Sequence, residues 1–204
     1  MFGNPDFFFQ TSNCSGAVEC VNPTFAWNHG DIQDEIGNTW VGMVGPGVAN
    51  RGVDATTWTD HTNVRPTVLA LLGLHDDYVA DGRVLAEGLT AGGTPQALLA
   101  HRDAVLQLGA AYEQLNAPFG SLAMDTLQAS TRALKSTDEA TYGSIEGSIA
   151  TLTSQRDVLA AQIRSALNAA AFSGQPLDQR PAQAWIGQAD GLIRQAHALA
   201  SPSS

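Results

Sequence analysis

The chain has 204 residues, 44% of them hydrophobic, and a formal net charge of −10. This composition allows a buried core in one domain or two small ones, and no apolar run is long enough to span a membrane. The acidic balance argues against nucleic acid as a partner, because phosphate repels such a surface and no basic stripe offsets it.

The acidic residues are concentrated in the first part of the chain. Residues 1–90 contain eleven acidic and three basic residues, whereas residues 91–204 contain nine and seven. The hydrophobic patterns of the two parts also differ. We therefore predict an α/β segment over residues 1–90 and a helical bundle of three or four helices over residues 91–204.

Cys14 and Cys20 are the two cysteines, and both lie near the start of the chain. Their spacing suits a small disulfide loop, with Gly16 to ease the turn, and does not match the usual zinc spacing. Because disulfides persist in oxidising compartments, we expect an extracytoplasmic parent protein, secreted or periplasmic. The first residues, "MFGNPDFFFQ", lack the features of a signal peptide.

Three short runs in the first fifty residues are predicted to be strands: "DFFFQ", "TFAW" and "WVGMVGPGV". The last is continuously apolar and ends in Gly-Pro-Gly, as expected of a buried strand followed by a turn. A helix should follow near Pro66, with Asn63 as a candidate cap and Gly73 at its C-terminal end.

Beyond the flexible pair Gly92-Gly93, the sequence predicts helices near residues 95–115, 118–135, 138–172 and 179–200. The third has the clearest apolar stripe, which a single charged residue, Arg156, interrupts. The other members of the stripe are Ile145, Ile149, Leu152, Leu159, Ile163 and Leu167. Ser136, Thr137 or Asp138 could cap this helix. The simplest architecture is an antiparallel bundle, with Ala-rich faces that allow close packing.

Two histidines follow these predicted elements in loops, where α/β proteins place their sites. His29 precedes Asp31, and His61 follows Asp60. Neutral imidazole and carboxylate are natural ligands for zinc and similar ions. The alternative is that both histidines make ordinary turn contacts.

The run "HTNVRPTVLALLGL" from His61, followed by "DGRVL" from Asp81, resembles the C-terminal signature of the alkaline phosphatase superfamily. That superfamily includes phosphatases, sulfatases and phosphodiesterases. "WNHGD" and "VGMVGPGV" stand upstream where the superfamily has an Asp-His-Gly-like triplet and a strand with a similar turn. One departure is Asn63, where Asp is usual. The resemblance covers residues 5–90.

The resemblance implies a two-metal hydrolase site, with His29 and His61 as ligands of different metals. Asn28 falls on the Asp of the triplet, and Asp31 could supply the missing carboxylate. The metal would be zinc, with calcium or manganese as alternatives, and the substrate of the full-length enzyme would be a phosphate or sulfate ester. The superfamily's nucleophile lies before everything seen here, so this chain would be the C-terminal portion of such a hydrolase and inactive alone.

Two alternatives stay open at this point. The chain could be a non-catalytic interaction protein, whose helical bundle binds a partner or another copy through the apolar stripe while the α/β segment is degenerate. It could also be a complete small enzyme with a site built on His29, Asp31, Asp60 and His61. Whether the chain is an enzyme is therefore not decided by its sequence.

Overall fold

The computed structural model describes residues 15–17, 20 and 37–201. The chain divides into two compact units, Met1–Gly42 and Met43–Ser204. The second unit contains all six α-helices whose bounds are described. We name them α1 (Val64–Leu72), α2 (Gln96–Ala100), α3 (Arg102–Asn116), α4 (Ser121–Leu134), α5 (Glu139–Phe172) and α6 (Gln179–Ala200).

The prediction of an α/β fold is wrong, because the described residues contain helices and no strand or sheet. The run "WVGMVGPGV" is not a buried strand, and Val44 within it is fully exposed. Gly45 and Gly47 have φ values of 152° and 83°, which end any extended run around Pro46. What remains is one isolated antiparallel bridge between Val48 and Leu89. The predicted strands "DFFFQ" and "TFAW" lie outside the described residues.

The predicted helices are confirmed, with one interruption. The first is divided at His101 into α2 and α3, while α4, α5 and α6 begin and end close to the predicted residues. Asp138 caps α5 by accepting hydrogen bonds from the backbone N–H groups of Ala140 and Thr141. A hydrogen bond from the Thr141 hydroxyl, together with these two backbone hydrogen bonds, lowers the pKa of Asp138. Gly73 ends α1 in the left-handed conformation.

Helix α5 has 34 residues and a length of about 50 Å, so it passes both α3 and α4. It runs antiparallel to α4, since Ser130 hydrogen-bonds Glu146 at 2.9 Å. Helix α6 then returns alongside α3 and α4. Gln183 near its start contacts Gln107 of α3, and His197 near its end contacts Asp125 of α4. These contacts define a bundle in which α3 and α4 follow one another along α5 and α6.

The core lies between α3, α5 and α6. Leu108, Leu115 and Ile163 are fully buried there. Alanines at intervals of seven residues on α6 are also fully buried, and they let the helices approach closely: Ala182, Ala189 and Ala196. The apolar stripe of α5 is therefore the inner face of the bundle, and its buried members are not available to a partner.

Candidate functional site

The residues of the phosphatase-like signature meet in a buried hydrogen-bonded cluster. The Asn63 side-chain oxygen accepts the backbone N–H of Arg83 at 2.8 Å, and the Asn63 amide donates to the Thr59 hydroxyl at 2.9 Å. The Thr67 hydroxyl donates to the Asn63 carbonyl at 2.7 Å and accepts the backbone N–H of Leu85 at 2.9 Å. These bonds join the start of α1 to the segment that follows Asp81. Asn63 makes no side-chain cap bond to α1, so its predicted capping role is wrong.

Gly82 lies directly against the backbone of Thr62. A Cβ atom at position 82 would come within 2.3 Å of the Thr62 carbonyl carbon and oxygen. Because real Cβ contacts of that length do not occur, only glycine lets the two segments approach this closely. The glycine of the "DGR" pattern is therefore explained here by packing.

Arg83 connects this segment to the bundle. Its side chain is 3% exposed, and its Nε atom lies 3.1 Å from Glu113 Oε1 on α3. The two terminal nitrogens of its guanidinium group bind the two oxygens of Glu87, at 2.8 and 2.9 Å. Gly109 leaves room for the guanidinium group, since a Cβ there would come within 2.8 Å of Arg83 Nε. We call Asn63, Thr67, Gly82, Arg83 and Glu113 the clasp.

Glu113 is 2% exposed, so its ionised carboxylate loses nearly all contact with water. Burial raises the pKa of Glu113 to about 7, although the Arg83 charge and a hydrogen bond from Asn63 act in the opposite direction. The neighbouring Tyr112 donates its hydroxyl to the Asp81 carbonyl at 2.5 Å, and burial raises the pKa of Tyr112 to about 12. Glu113 was not among the sequence-predicted residues. The sequence feature that indicates a buried role for Glu113 is its position one turn after Gly109, on the apolar side of α3.

A polar cleft of about 410 Å³ lies beside the clasp, between α3, α5 and the Asp60–Asp81 region. Its two arginines are each paired with a neighbouring carboxylate, Arg164 with Asp81 at 2.5 Å and Arg156 with Asp157 at 2.7 Å. Because these charges already neutralise one another, the cleft offers no unpaired arginine to an anionic ligand. The interruption of the α5 stripe at Arg156 is explained by this cleft.

The predicted metal ligands do not assemble in the described part of the chain. His61 is exposed in a short 3-10 helix, His61–Asn63, and the carboxylate of Asp60 caps that helix by accepting from the Thr62 N–H at 2.8 Å. No group of three or more His, Cys, Asp or Glu side chains that could hold a metal is found among residues 37–201. Asn28, His29 and Asp31 lie outside the described residues. The metal-binding and hydrolase predictions therefore gain no support from the structure.

Of the predicted disulfide pair, only Cys20 lies among the described residues, and its thiol takes part in a disulfide bond. Cys20 is described and exposed, and Cys14 is not described. Ser15 and Gly16 form a turn between them with φ values of 49° and 89°, as expected from Gly16.

The outer face of α4 carries apolar side chains that nothing in the described structure covers. Met124, Leu127 and Leu134 are 39%, 41% and 72% exposed. The opposite face of the same helix is already buried, through Leu122, Ala129 and Ala133. We call Met124, Leu127, Thr131 and Leu134 the α4 face. In the sequence, this face is indicated by apolar residues on two opposite sides of the same helix.

Over the described residues the fold is all-helical, and a buried charged cluster joins α1 to the bundle. Comparisons with protein-family models, with curated proteins and with solved structures found no match. The resemblance to the alkaline phosphatase superfamily therefore stays a prediction. None of the described helices is both long and apolar enough to cross a membrane.

Proposed function

We propose that this chain is a non-catalytic interaction protein that binds an amphipathic helix of another protein on the α4 face. The observation that carries the proposal is the exposure of Met124, Leu127 and Leu134 on a helix whose other side is already packed. A surface helix normally needs one apolar side, so a second one favours a partner.

The spacing on the α4 face favours a helical partner. Met124, Leu127, Thr131 and Leu134 follow intervals of three, four and three residues, which match the a and d positions of a helix-helix seam. Such a seam is complementary to apolar residues presented at the same intervals by a second helix. The α5 stripe, with the same kind of pattern, is unavailable for this role because Leu152, Leu159 and Ile163 form the core.

Charge favours a partner with acidic residues beside its apolar face. Lys135, the only lysine in the sequence, is exposed at the end of α4, directly after Leu134. No described hydrogen bond or ion pair involves its side chain, whereas Arg132 on the neighbouring side of the helix binds the Ser201 carbonyl. An acidic residue of the partner would therefore pair with Lys135 at the rim of the seam.

The test is a photo-crosslinking amino acid placed at Gln128, which is exposed beside the seam, in cells that make the protein. We expect a covalent adduct with one partner, attached at a helical segment with apolar residues three and four apart. The double substitution Leu127→Asp and Leu134→Asp should abolish the covalent adduct. Val158→Asp is the matched control, since Val158 is a single exposed apolar residue on α5 and its variant should retain the adduct.

Two outcomes would overturn the proposal. One is the absence of any adduct from position 128, or an adduct that persists in the Leu127→Asp and Leu134→Asp variant. The other is a covalent dimer of this chain, which would assign the α4 face to self-association. Circular dichroism of each variant separates loss of binding from loss of fold.

A further inference from the structure

The clasp contains one more buried carboxylate than its arginine can neutralise. Arg83 binds both oxygens of Glu87 through its two terminal nitrogens and reaches Glu113 only through Nε. The Glu87 pair alone balances the charge of Arg83. Ionised Glu113 is therefore a surplus negative charge at a position that is 2% exposed.

We propose that Glu113 acts as a proton-operated latch, which holds residues 74–90 on the bundle when it is neutral and loosens them when it is ionised. The segment is suited to respond, because it contains one short 3-10 helix, Ala86–Gly88, and no longer regular element. Val84 and Leu89 of the segment pack into the buried apolar cluster of the bundle, while its polar side-chain contacts to α3 and α5 are few. They include Arg83 with Glu113, Tyr112 with the Asp81 carbonyl, and Arg164 with Asp81.

The groups around Glu113 do not offer an alternative counter-charge. The 3-10 helix region contributes Asp60, which is also negative, and α3 contributes Tyr112, whose pKa is raised to about 12 by burial. The segment itself contributes Arg83, Glu87 and Asp81. Helix α5 contributes Arg156, Asp157 and Arg164 to the cleft beside Glu113. Arg156 is paired with Asp157, and Arg164 is paired with Asp81. Arg83 is thus the nearest positive charge, and Glu87 shares it.

The direction of the pH effect follows from the raised pKa of Glu113, about 7 against an ordinary value of 4.5. The folded protein holds the Glu113 proton more tightly than the unfolded chain does. The stabilisation is therefore complete below pH 4.5 and is lost as the pH rises through about 7. Residues 74–90 should be held firmly in mildly acidic solution and more loosely above neutral pH.

The test is hydrogen exchange of the full chain between pH 5.5 and 8.5, with rates corrected for the pH dependence of intrinsic exchange. We expect protection of residues 74–90 to fall by roughly tenfold or more across this range, since each unit of pKa shift corresponds to a factor of ten. Protection of α6 should change much less. In Glu113→Gln, which is neutral at every pH and of similar shape, the protection should not depend on pH.

Glu139→Gln is the matched control, because Glu139 is exposed in the first turn of α5 and away from the clasp. It should retain the wild-type pH dependence. Equal protection at both ends of the range, or a dependence that persists in Glu113→Gln, would overturn the proposal. If Glu113→Gln does not fold, the side-chain carbon resonance of Glu113 in the wild type decides. A titration midpoint near 7 supports the latch, and one near 4.5 refutes it.

Discussion

Gly82 and Asn63 show how single atoms determine whether the clasp can form. A methyl group at position 82 would meet the Thr62 carbonyl at 2.3 Å, so the segment after Asp81 could not reach α1. Asn63 both donates and accepts, whereas an Asp at this position would lose the donor to Thr59 and place another charge near Glu113. The departure from the superfamily pattern at Asn63 therefore suits the packing seen here.

At this scale we predict that Gly82→Ala lowers the free energy of unfolding by about 2–3 kcal/mol, because a rigid backbone must move to admit the new methyl group. Urea denaturation measures the effect. Gly147→Ala is the matched control, since Gly147 is exposed within α5 with no atom within 4 Å of the added Cβ. It should raise the free energy of unfolding by up to about 1 kcal/mol through helix propensity. Equal effects at the two positions would contradict the packing role of Gly82.

Among the elements, α5 determines the arrangement of the others. Its inner face carries Leu152, Leu159 and Ile163, all at most 5% exposed, and its polar cap and length position α3, α4 and α6 along it. Such helices could be predicted from sequence because their signals are local, namely apolar spacing, an Asp cap and a terminal Gly or Pro.

The prediction of a strand over "WVGMVGPGV" was wrong for a physical reason. A short apolar run such as "WVGMVGPGV" has no periodicity that separates a buried strand from an exposed irregular segment. The positive φ values of Gly45 and Gly47 and the exposure of Val44 show that the run is not a buried strand, and these properties are visible only in the folded chain. The clasp was likewise beyond prediction, since Arg83 and Glu113 are thirty residues apart and no local pattern pairs them.

For the elements, we predict that Ile163→Ala lowers the free energy of unfolding by about 2–4 kcal/mol, because Ile163 is fully buried between helices and the truncation leaves a cavity. Val158→Ala, on the same helix but 61% exposed, should change it by less than about 0.5 kcal/mol. Thermal or urea unfolding measures both. Similar losses for the two variants would mean that the α5 stripe is not the inner face of the bundle.

Across the unit Met43–Ser204, residues 43–90 are joined to the bundle by interactions of two kinds. One is polar, namely the clasp pair Arg83–Glu113 and the contacts of Asp81 with Tyr112 and Arg164. The other is apolar packing, since Val84 and Leu89 belong to the same buried cluster as Leu108 and Ile163. The boundary predicted near residue 90 rested on a change of sequence pattern, which does not report such contacts. The segment and the bundle should therefore unfold together.

The most direct test of this account is a urea titration at pH 6 followed by fluorine NMR of fluorotryptophan-labelled protein. Trp58 precedes Thr59, whose hydroxyl accepts a hydrogen bond from the clasp residue Asn63, and Trp185 lies on α6 and packs against the bundle core. Because both regions belong to one cooperative unit, the signals of Trp58 and Trp185 should disappear with the same midpoint and the same slope. Loss of the native Trp58 signal at a clearly lower urea concentration than that of Trp185 would contradict the claim that the clasp joins residues 43–90 to the bundle.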